Sequence, residues 1–290
     1  MDIVVTGRTG KLGGALVRMW KEAGDIHVQA MSREELNLSQ PEQLEEALRE
    51  MSFDALVNCA AMANVEACED NPAEAHRVNV ESPGILARHC RERGARFLHF
   101  STDYVLDGRE EGLKDERCAT EGLGVYAQTK LAGEELVLAE NPMAVVARVS
   151  WLFATYGTGG FVESVFRRAR AGEVLEAVGD KFSKPTSVRE VARMTQAVLE
   201  QKELAGVFHF THAGPPESWW SIATQVVQMA AEAGLLSELK EVRRESLENV
   251  PSLRAARPIH TAMDPARLRE ELNWEGPSWQ DEAAELLGSM

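Results

Sequence analysis

The sequence lacks several features that would place it in other classes of protein. Its four cysteines, at positions 59, 68, 90 and 118, follow neither CxxC nor a regular spacing, so we expect reduced thiols in a cytoplasmic protein. A formal net charge of -15 argues against a nucleic-acid partner, which needs a clustered basic surface. No apolar run approaches the ~20 residues that span a bilayer, so no membrane association is predicted. Met1 leads directly into apolar residues without a basic segment, and we expect no signal peptide.

The composition that remains is that of a globular enzyme-sized chain. Hydrophobic residues make up 44% of the 290 positions and charged residues 27%. In the first half, short apolar runs alternate with amphipathic segments, which predicts parallel strands joined by crossover helices. The predicted strands are 2–6, 27–31, 55–59, 96–101 and 144–149, and the predicted helices are 12–23, 41–51, 72–93 and 126–140. We therefore predict an α/β fold with a doubly wound parallel (Rossmann) sheet.

The rhythm changes after Trp151. We predict a dinucleotide-binding domain over 1–150, with elements from 176–204 returning to it, and a smaller α/β substrate lobe over 151–290. The predicted elements of this lobe are a loop at 157–160, helices 161–171, 187–201, 218–234, 264–273 and 278–287, strands 174–178 and 207–210, and a long loop at 246–261.

A glycine-rich turn follows the first predicted strand and opens the first helix. Gly7 permits a tight turn, Gly10 lets a diphosphate approach the backbone, and Gly13 lets the helix pack close to the sheet. The N–H groups at the start of the helix then face the phosphates. The same pattern can arise as a plain turn, but its position between strand and helix indicates a nicotinamide dinucleotide site.

The end of the second strand reports on the cofactor. It reads Met31-Ser32-Arg33, without the carboxylate that would bind a ribose 2′-hydroxyl. Arg33 and Arg8 could instead meet a 2′-phosphate. NADP(H) is therefore favoured, and NAD(H) remains possible if Arg33 only solvates a surface loop.

A candidate catalytic group combines a phenol, an ammonium and a hydroxyl. Tyr126 and Lys130 are spaced i,i+4, so they share one helix face, and the lysine is expected to lower the pKa of the phenol. Thr102, which follows a predicted strand, could hydrogen-bond a reacting carbonyl oxygen. Separately, the pair could be a surface helix pair and Ser101-Thr102 a simple turn. Their occurrence together with the glycine turn favours a site for general acid–base chemistry.

These motifs, taken together, resemble the dTDP-4-dehydrorhamnose reductase family of extended short-chain dehydrogenase/reductases. The resemblance runs from residue 3 to about 265. It is carried by Thr6-Gly-Arg-Thr-Gly-Lys-Leu-Gly13, Asn58-Cys-Ala-Ala61, Val65-Glu-Ala-Cys-Glu69, Val78-Asn79, Ser101-Thr-Asp-Tyr-Val-Leu-Asp-Gly108, Tyr126-Ala-Gln-Thr-Lys-Leu-Ala-Gly-Glu134, Arg148-Val-Ser-Trp-Leu-Phe153, Lys184-Pro-Thr-Ser187 and Ala256-Arg-Pro258.

The resemblance implies a cytoplasmic NAD(P)H-dependent reductase of a nucleotide-linked 4-keto-6-deoxysugar, in dTDP-rhamnose biosynthesis. The implied catalytic residues are Thr102, Tyr126 and Lys130, with Tyr126 as proton donor to the C4 oxygen. The implied cofactor residues are Gly7, Arg8, Thr9, Gly10, Lys11, Leu12, Ser32, Arg33, Asn37, Leu38, Ala60, Ala61, Met62, Asn79, Ser101, Tyr126, Lys130 and Val149. The implied substrate residues are Val65, Glu66, Asp103, Tyr104, Trp151 and Arg257.

Some expectations stay open at the level of sequence. Trp151 could instead pack in the core, and Arg257 could form a structural salt bridge. Trp219 and Trp220 favour core packing over a substrate wall. The chain departs from the family pattern at Asn37 and Glu66, where aspartate is common, and at Lys181, where glutamine is usual.

Two other functions fit the same motifs. One is epimerisation or dehydration of a sugar nucleotide, and the other is a non-catalytic NADP-binding subunit similar to the regulatory beta subunit of methionine adenosyltransferase. We predict no metal site, because no HxxxH or HExxH spacing occurs and Ala15 stands where some members have a metal-binding glutamate. A homodimer is implied only by the resemblance.

Overall fold

The structure is a computed structural model that describes residues 1–24, 26–153 and 159–290. The first two residues of the predicted loop 157–160 therefore lie outside the described residues. The strands are β1 Asp2–Thr6, β2 His27–Met31, β3 Ala55–Asn58, β4 Arg96–Thr102, β5 Val145–Val149, β6 Leu152–Phe153, β7 Leu175–Val178, β8 Phe182–Ser183, β9 Thr186–Ser187, β10 Gly206–His209, β11 Glu217–Ser218 and β12 Val242–Glu245. The α-helices are α1 Lys11–Ala23, α2 Pro41–Arg49, α3 Val65–Asp70, α4 Pro72–His76, α5 Ser82–Arg93, α6 Gly124–Glu140, α7 Phe161–Arg170, α8 Val188–Glu200, α9 Trp219–Glu232, α10 Ala266–Leu272 and α11 Trp279–Gly288.

Six strands form one parallel sheet in the order β10-β5-β4-β3-β1-β2. The strand order reverses between β1 and β3, so the connections that leave these two strands cross to opposite faces and open a crevice at their carboxyl ends. The predicted doubly wound fold is confirmed.

Alternate residues of the strands supply the two faces of the sheet, because successive side chains point to opposite sides. Ile3 and Val5 belong to a core shared with α1 and α8, whereas Val4 and Leu56 belong to a core shared with α2, α5 and α6. The first core continues into α7, α9 and α11, so the smaller lobe and one face of the sheet bury apolar surface together.

The segment predicted as one helix over 72–93 is helical throughout but changes its winding. A π-helical turn, Arg77–Glu81, separates α4 from α5. Such turns often occur at functional sites, because the extra residue re-aims side chains. The sequence analysis also missed α3, a short helix that Asn64 caps by accepting a hydrogen bond from the Ala67 N–H at 3.0 Å.

Two C-terminal elements return to the large sheet. Helix α8 packs on α1, and β10 pairs in parallel with β5 to form the edge of the sheet. The smaller lobe contains the parallel pair β7–β12, of which β12 was not predicted, and the antiparallel pair β8–β11. In the described part of the chain, no helix is both long and apolar enough to cross a membrane.

Candidate active site

The turn between β1 and α1 brings backbone rather than side chains to the carboxyl edge of the sheet. Gly7 has a φ of 71°, and a Cβ there would lie 2.9 Å from the Ala60 nitrogen. A Cβ on Gly13 would lie 2.4 Å from the Gly7 carbonyl oxygen. Gly10 precedes α1 in an extended conformation and leaves the first N–H groups of the helix facing outward. The turn therefore requires glycine, and its N–H groups suit a diphosphate.

A cavity of about 490 Å³ opens beside this turn and is lined by the segments that follow β1, β2 and β3. Many of the residues predicted to bind the cofactor line it: Gly7, Thr9, Gly10, Arg33, Asn37, Leu38, Ala60, Ala61 and Met62. Of the others, Arg8 and Lys11 are exposed, while Leu12 and Ser32 are buried. We call this space the cofactor cavity.

Asn79 supports the wall of the cofactor cavity from inside the π-helical turn. The residue is fully buried. Its Oδ1 accepts a hydrogen bond from the Met62 N–H at 2.9 Å, and its Nδ2 donates to the Met62 carbonyl at 3.1 Å and to Thr129 Oγ1 at 3.1 Å. The amide thus holds the backbone of the segment after β3 in place, which is its observed contribution to the predicted site.

Both arginines predicted to meet a 2′-phosphate are paired with carboxylates. Arg33 contacts Glu74 at 2.9 Å, and Arg8 contacts Glu35 at 3.2 Å. Glu35 also accepts a hydrogen bond from the Ser32 N–H at 2.7 Å, and this bond is the main cause that lowers the pKa of its carboxyl. Glu35, four residues beyond β2, thus holds the backbone at Ser32 and is not among the residues that line the cofactor cavity.

A second cavity of about 310 Å³ adjoins the first, since Ala63 lines both. We call it the substrate cavity. Thr102, the last residue of β4, and Tyr126, in the first turn of α6, both line it and lie within hydrogen-bond reach of each other. The residues predicted from sequence that line it are Val65, Ser101, Thr102, Asp103, Tyr104, Tyr126, Val149 and Trp151.

Tyr126 is a neutral acid in this structure. Burial raises the pKa of its phenol to about 12, and a hydrogen bond with the Thr102 side chain opposes this shift. The lowering that we expected from Lys130 is absent: its charge does not contribute to the shift in the pKa of Tyr126, and its Nζ is bound to other partners. Lys130 Nζ lies 3.0 Å from His99 Nε2 and donates to the Phe100 carbonyl at 2.7 Å. At neutral pH the phenol can therefore give a proton to a developing alkoxide.

Ser101 carries the clearest sign that the two cavities hold a ligand. Its Oγ is buried, and within the described residues it has no hydrogen-bond partner. A buried hydroxyl without a partner costs free energy, on the order of 1–3 kcal/mol. Ser101 lines the substrate cavity, so a polar group of a bound dinucleotide could satisfy its hydroxyl. Together with the glycine turn, this atom fits a nicotinamide cofactor.

Two residues predicted to contact the substrate contact each other. Arg257 donates to Glu66 at 2.6 Å, and Glu66 also accepts from the Ala255 N–H at 3.0 Å. The bond to Arg257 is the main cause that lowers the pKa of Glu66. Arg257 also hydrogen-bonds the phenol of Tyr104, which lines the substrate cavity. Of the two roles left open for Arg257, the structure therefore shows the salt bridge.

Asp103 lines the substrate cavity, but hydrogen bonds already engage its carboxylate. Thr261 Oγ1 donates to Oδ2 at 2.5 Å and Ser183 Oγ at 2.9 Å, so the carboxylate ties the end of β4 to the smaller lobe. Burial raises the pKa of Asp103, opposed mainly by the charge of Lys181. The Lys181 ammonium is buried 4.8 Å from the centroid of the Tyr104 ring. Lys181 was noted only as a departure from the family pattern, and its contacts place it behind the cavity residues Asp103 and Tyr104.

Trp151 forms one side of the substrate cavity with an aromatic cluster behind it. Its ring centroid lies 4.2 Å from that of Trp219 and 4.9 Å from that of Phe161. Its φ of 46° lies in the left-handed region, which costs a non-glycine residue about 1 kcal/mol. Backbone strain of this kind concentrates at functional sites. Trp151 thus packs against the aromatic cluster and also lines the cavity.

Among the residues that the structure describes, no cluster of three or more metal-ligating side chains is present. The parallel sheet, the glycine turn at its switch point and the two adjoining cavities define the class: this is a Rossmann-fold protein of the extended short-chain dehydrogenase/reductase type.

Comparisons with known proteins narrow the class to one family. The family described as the RmlD substrate binding domain matches residues 1–290. A dTDP-4-dehydrorhamnose reductase of Burkholderia thailandensis is 32% identical over 97% of this chain and 96% of its own length. A dTDP-4-dehydrorhamnose reductase from Clostridium acetobutylicum superimposes with a TM-score of 0.89 at 26% identity, covering 100% of this chain and 99% of its own.

A further solved structure, a dTDP-4-dehydrorhamnose reductase from Bacillus anthracis in complex with NADP, also gives a TM-score of 0.89. At 24% identity over 100% of this chain and 99% of its own, it supports the fold. The chain belongs to the RmlD substrate binding domain family, and the resemblance drawn from its motifs is confirmed.

Proposed function

We propose that this chain is a reductase that uses NADPH, or less readily NADH, to convert the 4-keto group of a dTDP-linked 6-deoxysugar to an alcohol. The observation that carries the proposal is the adjacency of the two cavities. The hydroxyls of Thr102 and Tyr126 line a cavity that continues, at Ala63, from the one beside the glycine turn. The curated relative that is 32% identical carries the name of this activity.

The residues that line the cofactor cavity would bind the dinucleotide through their backbone. The turn at Gly7 and Gly10 would take the diphosphate, and Asn37 and Leu38 would contact adenine. Arg33 would release Glu74 and bind the 2′-phosphate instead. The bound cofactor supplies a hydride at the nicotinamide. Ser101 and Val149, at the ends of β4 and β5, would contact that end of the cofactor.

The side chains around the sugar would complete the reduction. Thr102 would donate a hydrogen bond to the C4 oxygen and fix the carbonyl at the nicotinamide face. Tyr126, kept protonated by burial, would give its proton to this oxygen as charge develops there. The hydride and the proton together account for the two-electron reduction of the carbonyl to a hydroxyl. Lys130 would hold the nicotinamide ribose and return a proton to the phenol.

The substrate cavity also offers contacts for the rest of the sugar nucleotide. Trp151 would stack on the pyranose, while Val65 and Tyr104 would shape the opposite wall. Arg257, already held by Glu66, would meet a phosphate oxygen of the diphosphate with the donors that the salt bridge leaves over.

Purified protein mixed with NADPH and dTDP-4-dehydrorhamnose tests the proposal. We expect NADPH to be consumed in equal amount to the alcohol formed, as followed by absorbance and by chromatography of the sugar nucleotide. An epimerase or dehydratase would change the sugar without net consumption of cofactor. A regulatory subunit would bind NADPH without turning over any of the dTDP-, UDP- or GDP-linked keto-sugars, and either result would refute the proposal.

A further inference from the structure

A line of buried polar side chains runs beneath the two cavities, from the first strand to the catalytic helix. Thr6 Oγ1 donates to Asn58 Oδ1 at 2.6 Å, Asn58 Nδ2 lies 2.9 Å from His99 Nδ1, and His99 Nε2 lies 3.0 Å from Lys130 Nζ. Each of these four residues is at most 2% exposed. Side chains placed so deeply in a parallel sheet are usually apolar, so a polar line of this length calls for an account.

The hydrogens of this line can be placed in two ways. Asn58 Oδ1 faces two donors, the Thr6 hydroxyl and the Ala60 N–H at 3.3 Å. With that orientation, His99 Nδ1 accepts from Asn58, the neutral ring carries its proton on Nε2, and Lys130 must accept as a neutral amine. If the amide is rotated by half a turn, His99 Nδ1 donates to Asn58 Oδ1. Nε2 then accepts from a Lys130 ammonium.

The ring itself stays neutral in both arrangements. Burial lowers the pKa of His99 well below its ordinary value, and the charge of Lys130 lowers it further. In the rotated arrangement the Thr6 hydroxyl can still accept from the Ala60 N–H, at 3.2 Å. The bond between His99 Nε2 and Lys130 Nζ can therefore form with either charge state of the amine.

We propose that His99, oriented by Asn58 and Thr6, is a positioning residue that holds Lys130 Nζ beneath the active site and matches its hydrogen bonds to either protonation state. The inference rests on the proposed function, because it assigns Lys130 a place in the proton path to Tyr126. His99 itself lies behind the strand ends and touches neither cavity.

The electrostatic surroundings support two accessible states of Lys130. Burial lowers the pKa of its amine to about 8, opposed by the charge of Glu134 one turn further along α6. Glu134 is largely committed to Arg148 of β5, which it contacts at 2.7 Å. The groups that face the amine are thus His99 from β4, Glu134 from its own helix and, behind that carboxylate, Arg148.

The far end of the line reaches the cofactor cavity. The Ala60 N–H, which contacts Thr6 and Asn58, belongs to the segment against which Gly7 packs. A change in the amide of Asn58 therefore reaches the glycine turn through backbone, so binding of the dinucleotide and the state of Lys130 are linked.

Two amide substitutions separate the two ends of the histidine ring. The amide of His99→Gln places an atom where Nε2 lies and can still accept from Lys130. The amide of His99→Asn places an atom where Nδ1 lies and leaves Lys130 without that partner. His212→Asn is the matched control: His212 is also a buried histidine, its Nδ1 lies 2.8 Å from the Pro277 carbonyl oxygen, and its Nε2 accepts from the Ser187 N–H.

For His99→Asn we expect kcat to fall by about tenfold or more and Kd for NADPH to rise by about fivefold, as outer partners of a catalytic group commonly give. Without its acceptor the ammonium is less stabilised, so the fall in kcat on the alkaline side should move from near pH 8 to lower pH. His99→Gln and His212→Asn should stay within about threefold of wild type, with an unmoved alkaline limb.

Thermal unfolding of each variant measures the purely structural contribution. Equal loss of activity in His99→Gln and His99→Asn, in proportion to their loss of Tm and with an unchanged pH profile, would overturn the inference. The Kd for NADPH is measured without substrate. The comparison of Kd between wild type and the His99 variants therefore tests the inference even if wild type reduces no sugar nucleotide. In that event the proposed function fails, whereas weaker binding in His99→Asn alone still supports the line.

Discussion

The cofactor cavity and the substrate cavity share Ala63 but are built from different materials. The first is shaped by backbone, in the glycine turn and in the segment that Asn79 holds through Met62. The second is shaped by side chains that distant segments of the chain bring together, such as Val65, Tyr126 and Trp151. The difference teaches that a backbone site is fixed by local sequence, whereas a side-chain site depends on the whole fold.

The largest effect should come from a change that affects the substrate cavity and leaves the cofactor cavity intact. In Tyr126→Phe the proton donor is lost while the walls of the cofactor cavity remain, so kcat should fall about 10²- to 10⁴-fold with NADPH affinity unchanged. Stopped-flow turnover and titration of intrinsic fluorescence measure the two quantities. A fall in NADPH affinity as large as the fall in kcat would erase the distinction between the cavities.

A middle effect should come from the substrate side alone. Glu66→Gln removes the charge that holds Arg257 and keeps the shape, so KM for the sugar nucleotide should rise about tenfold, or ~1.4 kcal/mol, while Kd for NADPH holds. The matched control is Asp70→Asn. Asp70 lies on the same helix as Glu66 and makes an exposed contact with Arg254, so its loss should leave KM unchanged. If Glu66→Gln and Asp70→Asn change KM equally, the ion pair between Glu66 and Arg257 has no specific role in substrate binding.

The same variant carries a prediction for pH. The pKa of Glu66 is lowered in the folded protein, so its contribution to the free energy of unfolding is present above pH about 4.5 and is lost as the pH falls through the lowered value. Urea unfolding should therefore show wild type more stable than Glu66→Gln at pH 7 and the difference shrinking in acid. A difference that grows in acid would contradict this sign.

The smallest effect should come from the cofactor side. Arg33→Ala removes an exposed guanidinium from the rim of the cofactor cavity, so the affinity for NADPH should fall about threefold and that for NADH hardly at all. Arg109→Ala breaks a similarly exposed pair with Glu121, neither of which lines the cofactor cavity or the substrate cavity, and serves as control. Equal losses for NADPH and NADH would mean that Arg33 does not meet the 2′-phosphate.

Sequence reasoning succeeded where a pattern has one structural meaning. Alternating apolar runs predicted the central strands, and the glycine spacing predicted the turn between β1 and α1 because only glycine fits its close contacts. Tyr126 was singled out by its spacing from Lys130 and Thr102 by its place after a strand, and the structure brings both to one cavity because strand ends and helix starts meet at one edge of the sheet.

Two of the contacts that sequence reasoning missed join segments far apart in the chain. Arg257 is 191 positions from Glu66, and Thr261 is 158 positions from Asp103. No periodicity records such pairings. The orientation of Lys130 toward His99 was missed for a different reason: i,i+4 spacing fixes the helix face, but burial decides which acceptor the ammonium reaches.

The central claim is that a hydride delivered beside Thr102 and a proton from Tyr126 reduce the sugar at C4. Its most direct test is a single turnover with NADPH that carries deuterium at the transferable position of the nicotinamide, followed by mass and NMR analysis of the sugar nucleotide. The account predicts deuterium at C4 of the product with wild type and almost none formed with Tyr126→Phe. Product that carries no deuterium at C4, or an unchanged yield with Tyr126→Phe, would contradict it.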